Sequence, residues 1–532
     1  MDVDASAIAR ATGALAERAV ASARALTGDG RTLDDHQVVV ERVAYAATEA
    51  RAVAELAAAP AALAEVAGCA AAELAASIAH RLAPVAPALG LGPSGYDAAA
   101  AAAIAAGTAP AAVERIGEAA IAHGGRLAWP LDDTLAEVRA QVRAFAEREV
   151  APHAARIHRG DELLPERFIT EMGKLGYFGL SIPARYGGHE LGSLAMILTT
   201  EELSRASLAA AGSLITRPEI LAKALLAGGT EDQKQRWLPR LASGEVMAAI
   251  SVTEPDTGSD VAAVACRAEP VSGGWSITGR KAWCTFAGRA DAIALLARTG
   301  GAAGAGGPSD GARGLTLFIV DKPRFDGHEF AAAQPGGGTL TGRADRTPGY
   351  RGMHSFGLAF DRWFVPADQQ VGGDAGVGRG FALQMAGFAA GRLQTGGRAC
   401  GLVQAALEAT ARYVAERRQF GQPIGAWGLT RYHVGRMAHR LVAARAITYA
   451  AAAAMDRDER TAAPLAAMAK LFACDVAVEV TQLGQLLHGG WGYAEDYPIS
   501  RYVADAQVLP IFEGTKPILA LKVVGRSLLA PR

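Results

Sequence analysis

Net charge is almost absent from this sequence: 53 Lys+Arg stand against 54 Asp+Glu, a formal balance of −1. A general polyanion binder needs a basic excess to neutralise phosphates, so nucleic acid is not an expected partner and only local basic sites remain open. Cysteine is scarce. The five (Cys69, Cys266, Cys284, Cys400 and Cys474) are scattered, odd in number and never spaced as CxxC. That excludes a disulfide framework and a cysteine-based zinc site, and it favours a reducing cytoplasm. The eleven histidines form no HxxxH or HExxH pattern, so no metal site is expected. The first residues, Met1-Asp2-Val3-Asp4, have neither a basic n-region nor an apolar h-region, so no signal peptide is expected. No stretch of about 20 residues reads as strongly apolar, because the Ala runs carry Glu65, Glu73 and Asp97 and Ala is a weak hydrophobe. No membrane span is therefore expected.

What is present is a large apolar fraction, 50% of 532 residues, enough for several cores. At about 150 residues per domain the length suggests roughly three or four domains. Residues 1–130 are Ala-rich with few aromatics and read as helix, since Ala has the best helix propensity. Pro84, Pro87 and Pro93 break the run into two groups of helices. Ala-rich helices bury little area each, so this extension is expected to lean on the rest of the chain. From Leu131, the positions Leu135, Val138, Val142 and Phe145 share one helical face, and helical patterns continue to about Glu245 with breaks at Pro183–Gly188 and Gly228–Gly229. From Ala248 to about Gly372 the pattern becomes short alternating runs bounded by glycine, such as "GLTLFIVDK", with Gly-rich loops at Gly300–Gly314 and Gly336–Gly349. Residues 373–532 return to long helical runs.

Some signals mislead. Gly90-x-Gly92-x-x-Gly95 matches the dinucleotide fingerprint literally, but no strand precedes it, so it reads as a turn. Ser259 has no GxSxG elbow, and Cys284 and Cys400 read as buried small hydrophobes.

Four segments carry chemistry. "ISVTEPDTGSD", Ile250–Asp260, offers hydroxyls and backbone N–H groups from a Pro-bounded turn to a polar ring or phosphate, or is simply a surface turn. "RRQFGQPI", Arg417–Ile424, sets cations beside an aromatic, or is a solvated helix end with a Phe staple. "LHGGWGYAEDYPISR", Leu487–Arg501, contains the Gly489-Gly490 pair that lets another group approach the backbone. "IFEGTKPI", Ile511–Ile518, places Glu513 in an apolar run, where a carboxylate suits general-base work or else caps a helix.

In this order the four segments resemble the acyl-CoA dehydrogenase family, over about Leu131 to Arg532. The resemblance implies an α+β architecture: an α-helical domain (131–247), a β-barrel domain (248–372) and a C-terminal four-helix-bundle domain (373–532), here preceded by the helical extension. It implies FAD and oxidation of an acyl-CoA thioester to the α,β-enoyl thioester. Glu513 matches the catalytic base, with its backbone N–H polarising the thioester carbonyl as oxyanion-type stabilisation. Ile250, Val252, Thr253, Trp283 and Thr285 match flavin contacts, and Gly258 and Ser259 match the loop near the cofactor and the CoA arm. Arg417 and Phe420 match residues that reach the FAD of a neighbouring subunit, so a homo-oligomer (dimer or tetramer) is implied. Gly489, Gly490 and Thr515 match further FAD contacts, and Gly514 and Arg392 match positions beside the substrate. Electron-transferring flavoprotein is the acceptor usual in the family. The sequence departs from the family pattern at Leu486 and Gly428, where relatives carry Gln, at Ala389, where an acidic residue is usual, and at Cys284 and Phe286 around Thr285.

The extension and the phrases "GSLITRPEILAKALLAGGTEDQKQRWLP" and "GYRGMHSFGLAFDRWFVP" resemble, within the family, a dehydrogenase of a short, branched, dicarboxylic acyl-CoA, a resemblance that implies such a substrate, with another short branched-chain acyl-CoA as the alternative. Arg217, in the helical domain, is the candidate for the distal carboxylate, because a guanidinium binds a carboxylate bidentately. A helix start at Pro218 gives it an alternative structural role. A flavin oxidase or monooxygenase on the same fold is disfavoured by the retained Glu513, and a scaffolding protein by the motif set.

Overall fold

The computed structural model describes residues 3–92, 96–299 and 308–531, without the side chains of 308–310 and 460. Gly95 of the fingerprint and Gly300–Gly307 of the first Gly-rich loop lie outside the described residues. Compactness groups the chain into two units, Met1–Gln141 with Thr395–Arg532, and Val142–Gln394.

The first unit is helical. Three long helices of the extension, Ala5–Leu26, Gln37–Ala57 and Ala64–Leu82, are followed by two short ones, Ala98–Gly107 and Pro110–Ala122. Asp4 and Asp97 begin two of these helices by accepting from the backbone N–H groups of Ala7 and Ala100, each at 2.8 Å. Gly90 turns with φ +62 directly after a helical turn and no strand, which bears out the turn reading of the false fingerprint. The extension buries itself against the C-terminal helices, as its small side chains require. Leu521 and Leu529 join Leu15, Val40, Val43 and Leu82 in one core. The helix Pro110–Ala122 crosses the helix Gly428–Arg457 at backbone contact: a Cβ on Gly117 would stand 1.8 Å from the Arg431 carbonyl oxygen, and one on Gly435 2.1 Å from that of Val113. Glu73 of the extension lies 2.9 Å and 2.8 Å from guanidinium nitrogens of Arg436 and Arg440, and 2.9 Å from His439 Nε2.

Two helical runs, Ala61–Val85 and Thr461–His488, are long and apolar enough to cross a membrane, contrary to the reading of the Ala runs as too weakly apolar. Of their most apolar windows, 56% and 72% is buried inside the protein. Few charges, rather than large side chains, make these windows apolar, and close helix packing uses that property.

The second unit contains the helices Ala151–Gly160, Glu166–Lys174, Gly192–Ala206, Thr216–Gly228 and Glu231–Ala242. The breaks expected at Pro183–Gly188 and Gly228–Gly229 are a short helical turn and a helix end. Thr230 and Gln233 form a capping box that starts the next helix. The sheet follows as β1 (Ala248–Ser251), β2 (Arg267–Val271), β3 (Gly274–Thr285), β4 (Ala292–Arg298), β5 (Leu315–Asp321), β6 (Glu329–Ala333), β7 (Thr339–Ala344) and β8 (Ser355–Pro366). Its order is β1-β4-β2-β3-β8-β7-β6, with β5 on the other side of β4. It is a curled sheet whose outer strands β5 and β6 do not pair among the described residues. Leu315 to Val320 are all buried, so both faces of β5 are covered. The core on one side joins Leu317 and Ile319 to Leu221, Leu225, Trp237 and Leu241 of the helices.

Candidate active site

In the second unit, the loop leaving β1 is built on a buried ion pair. Lys281 Nζ donates to Glu254 Oε1 and to the Val252 carbonyl, each at 2.9 Å, and the Glu254 carboxylate accepts the backbone N–H groups of Ala265 (2.7 Å) and Cys266 (2.8 Å). A carboxylate with these partners is fully used, so the pair fixes the loop. The loop's Thr253 carbonyl accepts from Ala282 N–H at 2.8 Å, which sets Thr253 beside β3 next to the residue that precedes Trp283. Val252 is buried and Ile250 half-buried, both packed with Val264, Leu296 and Leu315, while Gly258 and Ser259 are exposed at the loop tip. Neither Lys281 nor Glu254 stood out in the sequence, although both lie in segments that did; only their 27-residue separation closing in space reveals them.

Trp283 is a 58%-exposed indole held at φ +58, and Phe286 follows at φ +70. Left-handed backbone at two bulky residues costs of order 1–3 kcal/mol each and persists where packing imposes it, typically at functional sites. Between them Thr285 is buried, its hydroxyl 2.8 Å from that of Ser355 on β8. Cys284 and Cys400 are buried, like every cysteine of the chain, and burial pushes the Cys284 thiol up to about 12, so it is no nucleophile.

Arg217 stands in the first turn of Thr216–Gly228 and is 5% exposed. Its Nη1 donates to the Ser213 carbonyl and to the Tyr350 hydroxyl, both at 3.1 Å. Neither partner is charged, and Arg217 makes no ion pair among the described residues. Tyr350, which the sequence did not single out, is buried with φ +59. Arg392 lies nearly buried on the helix Gly380–Glu416, in the second unit's part of it. Ala389, one turn before it, is buried too.

In the first unit, that helix ends at Glu416 and the chain turns through a short hairpin, Arg418–Gln419 against Gln422–Pro423. The hairpin is closed at its base by Ile424 N–H donating to the Arg417 carbonyl at 2.7 Å. Phe420 sits at its tip at φ +53 and is 90% exposed, so it is not a helix staple. Gly489 has φ +62, and a Cβ on either Gly489 or Gly490 would meet nothing within 4 Å, so open space faces this backbone. Tyr413 connects the two segments: its hydroxyl donates to the His488 carbonyl at 3.0 Å and its ring stacks on His488 at 4.2 Å. Leu486 and Trp427, where relatives carry or adjoin Gln, are exposed, and Gly428 begins the helix Gly428–Arg457.

Glu513 is half-buried at φ +55, followed by Gly514 at φ +100. It caps no helix: Thr515 holds the N-cap position of the following turn. Lys470 Nζ donates to the Gly514 carbonyl at 2.6 Å, and the Arg398 guanidinium lies 4.6 Å over the Phe512 ring. Two buried cations therefore flank the turn that carries Glu513. The expected site residues thus fall into two sets: Ile250, Val252, Thr253, Gly258, Ser259, Trp283, Thr285, Arg217 and Arg392 in the second unit, and Arg417, Phe420, Gly489, Gly490, Glu513, Gly514 and Thr515 in the first.

The residues present suit a flavin. An exposed indole on a fixed β-strand provides a wall for an aromatic ring system. The open backbone at Gly489–Gly490 leaves room for a close polar contact, and Phe420 offers an apolar ring to solvent. Linear spacing gave no metal site, but folding brings Asp161, His328 and His354 together from three segments of the second unit.

Comparison with known proteins agrees with this arrangement. The acyl-CoA dehydrogenase N-terminal, middle and C-terminal domain families match residues 132–245, 249–363 and 378–529. The chain is 39% identical over 430 residues to (2S)-methylsuccinyl-CoA dehydrogenase of Cereibacter sphaeroides, covering 80% of this chain and 76% of that protein. A chain in a structure of the electron transferring flavoprotein of Acidaminococcus fermentans superposes with a TM-score of 0.69 at 30% identity, over 76% of this chain and 100% of that one. Glutaryl-coenzyme A dehydrogenase in complex with glutaryl-CoA gives 0.67 at 30% identity, over 74% and 94%. With three domain families in sequence and a relative this similar over most of its length, the chain belongs to the acyl-CoA dehydrogenase family and is an FAD-dependent acyl-CoA dehydrogenase.

Proposed function

We propose that the substrate is a short, branched, dicarboxylic acyl-CoA, (2S)-methylsuccinyl-CoA, oxidised to mesaconyl-CoA. One observation carries this reading: Arg217 buries a guanidinium whose protein partners, a carbonyl and a phenol, are neutral. A buried charge is costly unless paired, and a free carboxylate on the acyl chain would supply the missing anion. An uncharged acyl group would leave the guanidinium buried without a counter-ion. The named substrates of the two relatives, methylsuccinyl-CoA and glutaryl-CoA, both carry such a carboxylate.

Glu513 accepts the α-proton in its carboxylate. The Glu513 backbone N–H donates to the thioester oxygen as negative charge develops there. Trp283, Thr253 and Thr285 would hold the flavin ring, and Arg417, Phe420, Gly489, Gly490 and Thr515 would hold the remainder of the cofactor, the hairpin residues serving a neighbouring subunit. FAD, when bound there, would supply the two-electron hydride acceptor that the loss of the β-hydrogen requires. An electron-transferring flavoprotein is the electron acceptor in this reading, and the cytoplasm is its compartment.

The test is Arg217→Met assayed with methylsuccinyl-CoA and with an uncharged branched acyl-CoA. A loss of about 2–4 kcal/mol in kcat/KM confined to the charged thioester is expected. Equal losses for both thioesters assign Arg217 a structural role, and no loss for either removes it from the acyl pocket; both results overturn the reading.

A further inference from the structure

We infer that Asp161, His328 and His354 form a binding site for a first-row divalent metal ion of the zinc class, separate from the flavin and acyl-CoA residues. One potential ligand atom from each lies within 4.8 Å of the other two. Asp161 closes the helix Ala151–Gly160, His328 precedes β6 and His354 precedes β8. His354 Nε2 stands 3.1 Å from Asp161 Oδ1, and the two imidazole rings are 4.4 Å apart.

Several features distinguish this from an ordinary hydrogen-bonded histidine. His354 is 5% exposed and its Nδ1 is buried with no hydrogen-bond partner. The Asp161 carboxylate only accepts, so Nε2 carries the proton in the metal-free protein; Nδ1, which no partner occupies, can take that proton instead and leave the Nε2 lone pair for an ion. Asp161 and His354 both adopt left-handed backbone, each at φ +50. Such strain persists where the surroundings hold it, and here it turns two side chains toward one point. A cavity of about 860 Å³ opens beside the three residues, leaving room for water in the remaining coordination positions.

The donor set selects the ion. Two imidazoles and one carboxylate suit zinc or its neighbours, whereas magnesium and calcium take oxygen ligands. Ligand atoms around a tetrahedral zinc, at about 2.0–2.1 Å from it, lie within roughly 3.5 Å of one another. Asp161 and His354 already meet that spacing, and the exposed His328 needs only a side-chain rotation. The charges facing the cavity are balanced. Arg343, Arg346 and Arg351 oppose Asp161, Glu329 and Asp345. Arg343 lies 3.3 Å from Glu329, and Arg351 donates to the carbonyls of Thr347 (3.1 Å) and His158 (2.9 Å) while its Nε stays 3.7 Å from Asp161. The guanidiniums weaken a divalent ion, and Arg351 reaches the Asp161 ligand only through a long ion pair, which predicts moderate affinity. Bound zinc would tie the helix end, β6 and β8 together.

The experiment uses the full-length, FAD-loaded protein, stripped with a chelator and titrated calorimetrically with zinc chloride. One zinc per chain is expected, together with a higher melting temperature. His328→Ala changes an exposed residue, and Asp161→Asn keeps a side chain that tolerates left-handed backbone, so both variants should fold and retain the flavin spectrum. Each should weaken zinc by at least ~10-fold and abolish the thermal shift. The site is overturned if the wild type takes up no zinc saturably, if both variants bind as the wild type does, or if magnesium binds as tightly as zinc.

Discussion

Lys470, fully buried, places its Nζ 2.6 Å from the carbonyl oxygen of Gly514, the residue that follows Glu513. The bond fixes the peptide leaving the proposed base, Glu513, while Arg398 packs over the Phe512 ring that precedes it. Positive φ at both Glu513 and Gly514 needs such restraint, because left-handed backbone at a non-glycine residue is unfavourable. Lys470→Met should leave the Gly514 carbonyl unpaired, a cost of about 1–3 kcal/mol, and let the turn relax. Displacement of the base by an ångström lowers turnover by about 10²-fold. The expected result is a fall in kcat of that order with little change in KM and full FAD content. Lys470→Arg, which keeps a donor, should recover part of it. A KM effect alone, or loss of flavin, would contradict a positioning role.

Glu513→Gln keeps the size of the side chain but removes the proton acceptor. Turnover should fall by at least about 10³-fold while the fold and FAD are retained. Mixing the variant with substrate under anaerobic conditions and following the flavin absorbance measures this directly; bleaching at the wild-type rate would remove Glu513 from the role of base.

Phe420 and Arg417 predict a cofactor effect that does not require unfolding. Phe420 is 90% exposed, so replacing it disturbs no core of its own subunit. If Arg417 meets FAD as proposed, Arg417→Ala removes a charge-assisted contact worth roughly 1.5–3 kcal/mol, about 10- to 150-fold in FAD affinity. Flavin content after gel filtration, read beside the circular dichroism melt, separates the outcomes. Stoichiometric FAD with unchanged oligomer size would exclude the hairpin from the cofactor site.

Glu73 links the extension to the helix Gly428–Arg457 and gives the protein an acid-sensitive joint. Burial alone would raise its carboxyl, but His439, Arg440 and Arg436 together hold it below the usual carboxylate range. A depressed carboxyl contributes stability that is present above the unfolded value, near 4.5, and is lost as pH falls toward the folded value. Glu73→Gln should therefore lower the melting temperature at pH 7 and flatten the decline of stability below about pH 4.5 relative to wild type. Parallel pH–stability curves for the two proteins would show that the network contributes nothing.

Much of the chemistry was legible in local sequence. The order of helices, strands and helices follows from periodicity, since apolar spacing changes from a helical to an alternating pattern at Ala248. The Gly489–Gly490 pair, the Phe420 turn and Glu513 between Phe512 and Gly514 stand out because each needs a particular backbone within a few residues. Composition also registered that the extension could not bury itself alone. What tertiary structure decided are pairings between distant segments: Lys281 with Glu254, Tyr350 with Arg217, Lys470 with Gly514, Tyr413 with His488, and Asp161 with His328 and His354. None has a periodic signature, because each depends on strand register, helix crossing and the direction of a turn. A sequence pattern reports which face a residue shares with its neighbours three or four places away. Whether a buried cation meets a carboxylate, a carbonyl or a hydroxyl is settled only when two segments pack, and in this protein that difference separates Lys281, paired with Glu254, from Arg217, which meets only a carbonyl and a phenol.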